Sequence, residues 1–163
     1  VPIVPKYPLP PFLEGLCSGP KYRKWLTCKA DQLQKRDKRL KRPCAKNHSQ
    51  ADYKLRIHDA VMENRGFDPY TGETLRWDLI GKWSSNKVMA AAAPRARSAA
   101  GPCRAMKKDF FLLPTIDHID PEGMALDFEI VSWIVNEGKS QMTPREYREL
   151  CSKVVARGGR AAT

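Results

Sequence analysis

The stretch PTIDHIDPEG, Pro114 to Gly123, closes the apolar run FFLLPTI with an Asp-His pair and then enters a Pro/Gly loop. Working outward, KDFFLLPTIDH reads as a buried strand of aromatic and branched residues. DFEIVSWIV, residues 127–135, reads as a second strand in which Phe128, Ile130, Ser132 and Ile134 alternate with Glu129, Val131, Trp133 and Val135, so both faces are partly covered. His118 therefore stands where a strand gives way to a loop, beside two acids, Asp117 and Asp120. Two readings follow: a metal-assisted general base, or a surface histidine at a strand end.

Helices are expected on either side. TPREYRELCSKVVA carries a cap at Thr143, Pro144 at the first position and Glu146 at the third, with an apolar stripe of Tyr147, Leu150, Cys151, Val154 and Val155. Upstream, SGPKYRKWLTCKADQLQKRDKRLKRP places Tyr22, Leu26, Ala30, Leu33 and Leu40 at helical spacing, with Pro20 near its start and Pro43 at its end. Ser49 caps a second helix, whose stripe is Tyr53, Ile57, Ala60 and Val61 and whose stop is Gly66. Beside that stripe, His58 reads as a helix-surface or satisfied core histidine, and His48 as a surface one. FDPYTGETLRWDLIGKW gives a Pro/Gly turn, a short strand and one short helix. The organisation expected is a Pro-rich arm at 1–17, a basic helical region at 18–65, and a core at 66–163 that carries a mobile basic Ala-rich loop at about 84–106.

Charge narrows the partners. Residues 1–43 hold eleven bases and three acids, whereas residues 109–156 hold nine acids and four bases. A basic arm beside an acidic half suits a protein that grips a polyanion with one part and a cation with the other. Lys35, Arg36, Lys38, Arg39, Lys41 and Arg42 wrap the last turns of the first helix, more than a helix C-terminus requires. Wrapped around the helix, they suit nucleic-acid backbone contact with weak sequence preference. RNA binding, or a purely structural helix end, is the competing use of the run. Five isolated cysteines without a CxxC argue against a secreted disulfide scaffold and a four-cysteine zinc site, and fit reduced thiols in a cytoplasm. No stretch is long and apolar enough for a membrane span, and the Pro-rich start lacks the pattern of a signal peptide.

Over residues 66–156 the pieces DPYTGETL, PTIDHIDPEG, LDFEIVSWIVNEGK and MTPREYRELC resemble the HNH endonuclease family, of the free-standing bacterial or phage type. The resemblance implies an α+β protein: a ββα-metal (HNH, or His-Me finger) core with N-terminal helices and a C-terminal helix. It implies a metal-dependent endonuclease that hydrolyses DNA phosphodiesters. His118 would be the general base, and Asp117 and Asn136 the ligands of one Mg²⁺ or Mn²⁺ ion. Lys139, one turn after Asn136, would contact a phosphate. Asp127 stands where the family's middle Asn ties the loop that carries the histidine; an ionised Asp accepts such bonds but cannot donate them. Asp117 and His118 are adjacent, so their side chains leave a strand on opposite faces. The family's geometry resolves this by ending the strand there.

Many members of that family carry two zinc knuckles, one on each side of the core. Here their four cysteine positions read Asp68, Thr71, Ser132 and Val135, which implies a zinc-free version held by a turn and apolar packing. The competing class is a catalytically inactive nucleic-acid-binding protein on the same scaffold. A toxin with an immunity partner is a third use of this core, though nothing in the chain indicates a secretion domain.

Overall fold

The computed structural model describes residues 5–82 and 110–158. The Ala-rich stretch, Cys103 and Ile3 lie outside them. Helix α1 (Gly19–Arg39) is capped by Ser18, whose hydroxyl accepts the Lys21 amide hydrogen. It ends two residues before Lys41, whose positive φ turns the chain. Leu40, expected on the apolar stripe, lies past the last turn and is 53% exposed. Short α2 (Cys44–Asn47) leads to α3 (Gln50–Asn64), which starts with a reciprocal Ser49–Asp52 capping box. Arg65 takes the left-handed conformation after α3, and Gly66 follows it at φ 92° with the Phe12 ring 3.1 Å from where a Cβ would sit.

Strands β1 (Pro114–His118) and β2 (Phe128–Ser132) form an antiparallel pair in which His118 faces Phe128 and Pro114 faces Ser132. Helix α4 (Trp133–Lys139) follows at once, capped by Ser132. Residues 133–135, expected to continue the strand, are helical because the Ser132 hydroxyl accepts the Val135 amide and starts a helix there. The fold is thus α+β, with the order strand, loop, strand, helix behind two long N-terminal helices, α1 and α3, and the short α2 between them. One hydrophobic cluster joins α1, α3 and the sheet through Tyr22, Leu26, Tyr53, Ile57, Trp77, Ile116 and Phe128, and so crosses the boundary expected at residue 66. Leu13 of the Pro-rich arm is fully buried, and Tyr7, Leu9 and Phe12 pack against the same cluster. Among the described residues no helix is long and apolar enough to cross a membrane.

Helix α5 (Pro144–Gly158) forms behind the Thr143–Glu146 capping box, but it buries none of its residues. Its expected stripe faces outward: Val154 and Val155 are largely exposed. Its contact with the rest is made by Tyr147 and Arg148, which lie against the edge and the face of Tyr70.

Asp68 supplies the link that the DPYTG turn needs. One carboxylate oxygen accepts the Tyr70 and Thr71 amides at 2.8 and 3.0 Å; the other accepts the Ser132 amide at 2.6 Å. The side chain is almost fully buried, so this acid joins the turn at 67–74 to the junction of β2 and α4. Removing it strands three amide donors. Asp68→Ala should lower the unfolding free energy by about 2–3 kcal/mol in urea denaturation, and Asp68→Asn, which keeps one acceptor, by less.

Candidate active site

The end of β1 sends Asp117 and His118 to opposite sides, and a second element meets each. Asp117 Oδ2 accepts from Lys139 Nζ of α4 at 2.8 Å. His118 turns to the end of α1, where its Nε2 lies 3.0 Å from Asp37 Oδ2. Asp37 and His118 are 0% and 2% exposed. The Phe128 ring packs edge-on against the imidazole and fixes its plane. Both side chains still reach one cavity of about 230 Å³, together with Arg36, Arg42, Pro121 and Asn136.

Asp37, on α1, gathers three donors from other parts of the chain. Tyr53 Oη of α3 donates to Oδ2 at 2.9 Å, Arg42 Nη1 donates to Oδ1 at 2.9 Å, and His118 donates from Nε2. Burial pushes this carboxyl up, but the hydrogen bonds from His118, Tyr53 and Arg42 outweigh it and hold the group below the usual carboxylate range. The Tyr53 hydroxyl is pushed up by its own burial, its bond to Cys44 and its bond to Asp37, and stays a donor. The other imidazole nitrogen, Nδ1, lies 3.1 Å from both Arg36 Nη2 and Arg42 Nη1. A guanidinium can only donate. Arg42 Nη1 also lies 3.3 Å from Nε2, but the closer partner of Nε2 is the Asp37 carboxylate, which can only accept, so Nε2 carries the hydrogen and the Nδ1 lone pair faces the two arginines at the cavity.

The loop after β1 is built to hold this arrangement. Asp120 accepts the Glu122 and Met124 amides, and its own carbonyl accepts the Gly123 amide. Arg42 Nη2 donates to the Pro121 carbonyl at 3.0 Å. Gly123, at φ 65°, lies so close to Arg42 that a Cβ would sit 2.7 Å from its Cδ. Asp127 ties the loop through its backbone: its carbonyl accepts the Ile119 amide at 3.3 Å. Its side chain accepts from Arg56 Nη2 at 2.7 Å and from the Phe128 amide.

Of the residues singled out from sequence, Asp117, His118, Asn136, Arg36 and Arg42 meet at one cavity. Lys139 does not line it: the ammonium is buried on Asp117, the His118 carbonyl and the edge of Glu129. Lys35, Lys38, Arg39 and Lys41 are exposed, and Lys35 pairs with Asp31. His58 is a satisfied core histidine bonded to Tyr22, and His48 is half-buried on the Cys44 carbonyl. Sequence reasoning missed Asp37, Cys44 and Tyr53. Asp37 does carry a signal: Tyr22, Leu26, Ala30, Leu33 and Asp37 keep one helical spacing, and the acid occupies a core-facing step of that stripe.

Two donor sets fit a cation. Asp117 and Asn136 offer oxygens on the cavity wall; the Asn136 amide has no hydrogen-bond partner among the described residues, and Lys139 takes only Oδ2 of Asp117. That set suits a hard ion such as Mg²⁺, which takes few protein oxygens and keeps its waters. Asp37, Cys44 and His118 offer O, S and N within 4.8 Å of one another, a softer set. An ion there would replace the His118–Asp37 hydrogen bond, so holding it and orienting the imidazole exclude each other. Burial raises the Cys44 thiol, which favours its protonated, non-ligating form.

The chain matches no family model, no curated protein and no solved structure.

Because the carboxyl of Asp37 is held below its unfolded value near 3.9, its contribution to stability is complete above about pH 4 and is lost as pH falls through the folded-state value. Asp37→Asn leaves Arg42 buried without its counter-charge and should cost about 3 kcal/mol at pH 7. The difference between the two proteins should shrink below pH 4 in urea denaturation followed across pH.

Proposed function

We propose that the protein is a metal-dependent endonuclease of the HNH type, which hydrolyses DNA phosphodiesters on a ββα-metal core made of β1, the 119–127 loop, β2 and α4. One observation carries this reading. An imidazole with its Nε2–H on a buried carboxylate turns its basic nitrogen toward the cavity where Asp117, Asn136 and two guanidiniums meet.

The chemistry follows from those contacts. Arg36 and Arg42 leave Nδ1 for the oxygens of an incoming phosphate, with which guanidinium pairs better than with a neutral nitrogen. Arg36 Nε is buried without a hydrogen-bond partner, and its burial pushes the group down, a cost that a bound anion relieves. Nδ1, freed, takes a proton from water as the water oxygen bonds to phosphorus and the P–O3′ bond breaks; the departing oxygen is protonated from solvent. Asp37 stabilises the imidazolium that forms. A divalent cation, Mg²⁺ or Mn²⁺, held by Asp117 and Asn136 would place positive charge against the leaving oxygen. Lys139 then acts as a positioning residue, which fixes Asp117 through Oδ2.

A second reading has its own support: two arginines already occupy Nδ1, as suits a scaffold that binds nucleic acid without cutting it. Plasmid nicking decides between them. Cleavage in Mg²⁺ or Mn²⁺ is expected to vanish in EDTA, to fall by about 10²–10⁴-fold in His118→Ala, and to lose its metal dependence together with its rate in Asn136→Ala. Nicking that survives His118→Ala overturns the assignment. Salt-sensitive DNA binding without any nicking makes binding the function.

A further inference from the structure

The face of α1 that meets β1 is not closed. A cavity of about 540 Å³ lies between Lys21, Lys24 and Lys29 on the helix and Leu113 and Pro114 on the strand side. The next, of about 240 Å³, shares Lys29 and Gln32 with it and adds Arg36, Thr115 and Ile116. Arg36 also lines the cavity of His118. Lys29 and Gln32 are common to the first two and Arg36 to the last two, so the three recesses succeed one another as a segmented groove along the helix, which from Lys21 to Arg36 covers about 22 Å at 1.5 Å per residue.

No acid lines the first two cavities. Among the described residues Lys29 has no anionic partner; its burial, and then Arg36 beside it, pull its ammonium down. Among the described residues Lys21 hydrogen-bonds the Asp78 carbonyl, at 3.4 Å, and no carboxylate. Lys24 belongs to no ion pair among the described residues. Three lysines without a carboxylate partner among the described residues thus lead to Arg36, which stands 3.9 Å from Asp37, and past it to the Nδ1 side of His118. Like charges held together in a recess raise the electrostatic cost of the free protein and favour a polyanion that follows the recess.

We infer that this groove is the track for one extended nucleic-acid strand, whose phosphates are held by Lys21, Lys24, Lys29 and Arg36 and whose scissile phosphate lies at His118. The inference rests on the endonuclease reading for its end point and names the form of its substrate. A slot between one helix and one strand takes a single sugar–phosphate chain; a duplex, with grooves about 6 and 12 Å wide, would lie across it. The exposed Lys38 and Arg39 lie off the track.

The test is fluorescence anisotropy of the full chain with a labelled single-stranded oligonucleotide in EDTA, where no cleavage intervenes. Lys24→Glu/Lys29→Glu is compared with Lys38→Glu/Arg39→Glu, which changes the net charge equally. The groove variant should lose at least about tenfold in affinity, with a salt slope reduced by about 1.4, and the control less than about threefold. Lys24→Gln/Lys29→Gln, gentler on the partly buried Lys29, should show the same order. Equal losses in both variants, or none in the groove variant, overturn the track; a loss confined to duplex DNA overturns the single strand. Nicking is scored separately. A groove that binds in a protein that never cuts refutes the endonuclease alone, and an active enzyme indifferent to Lys24 and Lys29 refutes the groove alone.

Discussion

A carboxylate with no exposed surface lies at the centre of this molecule, and the rest is arranged around its needs. Asp37 must be ionised to accept from Arg42, Tyr53 and His118, and it can be ionised only because all three arrive. They come from the loop after α1, from α3 and from the end of β1. The same hydrogen bonds that make the burial tolerable therefore dock the helical layer onto the sheet. They also orient an imidazole, since a hydrogen committed to Asp37 leaves the other nitrogen basic. Stability and chemistry share one group here, and a change that improves one acts on the other.

Arg42 is the second member of this economy of parts. Its guanidinium meets Asp37, His118 and the Pro121 carbonyl, and its stem lies against Gly123. The Gly123 carbonyl in turn accepts the Cys44 amide. The loop that follows the histidine is thereby fastened to the chain that follows α1. The histidine loop is tied at its other end by the Asp127 carbonyl, with Arg56 on the Asp127 side chain. Backbone and arginine do together what a single amide side chain would do.

Much of the sheet and part of the site were legible in the sequence, for local reasons. Asp117 and His118 were marked by the apolar run that ends in a Pro/Gly loop, whereas Asn136 was tied to them only through the resemblance to the HNH endonuclease family. Asp37 was not legible as a partner of His118: the two are 81 residues apart, and the acid is embedded in KRDKRLKR, where it reads as one more solvated charge. Its place on the apolar stripe was the only sign. The start of α4 was hidden because a seven-residue helix is too short to show a period, and its apolar residues extend the alternation of β2. The stripe of α5 misled in the opposite direction. Its spacing and cap are those of a packed helix, yet only Tyr147 and Arg148 find partners in Tyr70, because periodicity states which residues share a face and not what covers it.

The Asp68 link has one more consequence. A turn cross-linked by a side chain of the chain itself cannot be emptied by a chelator or opened by an oxidant, as a cysteine-bound ion can. Under the proposed function, removing a cation from Asp117 and Asn136 would leave the Asp68 link to the Tyr70, Thr71 and Ser132 amides in place, because none of its three hydrogen bonds involves either residue.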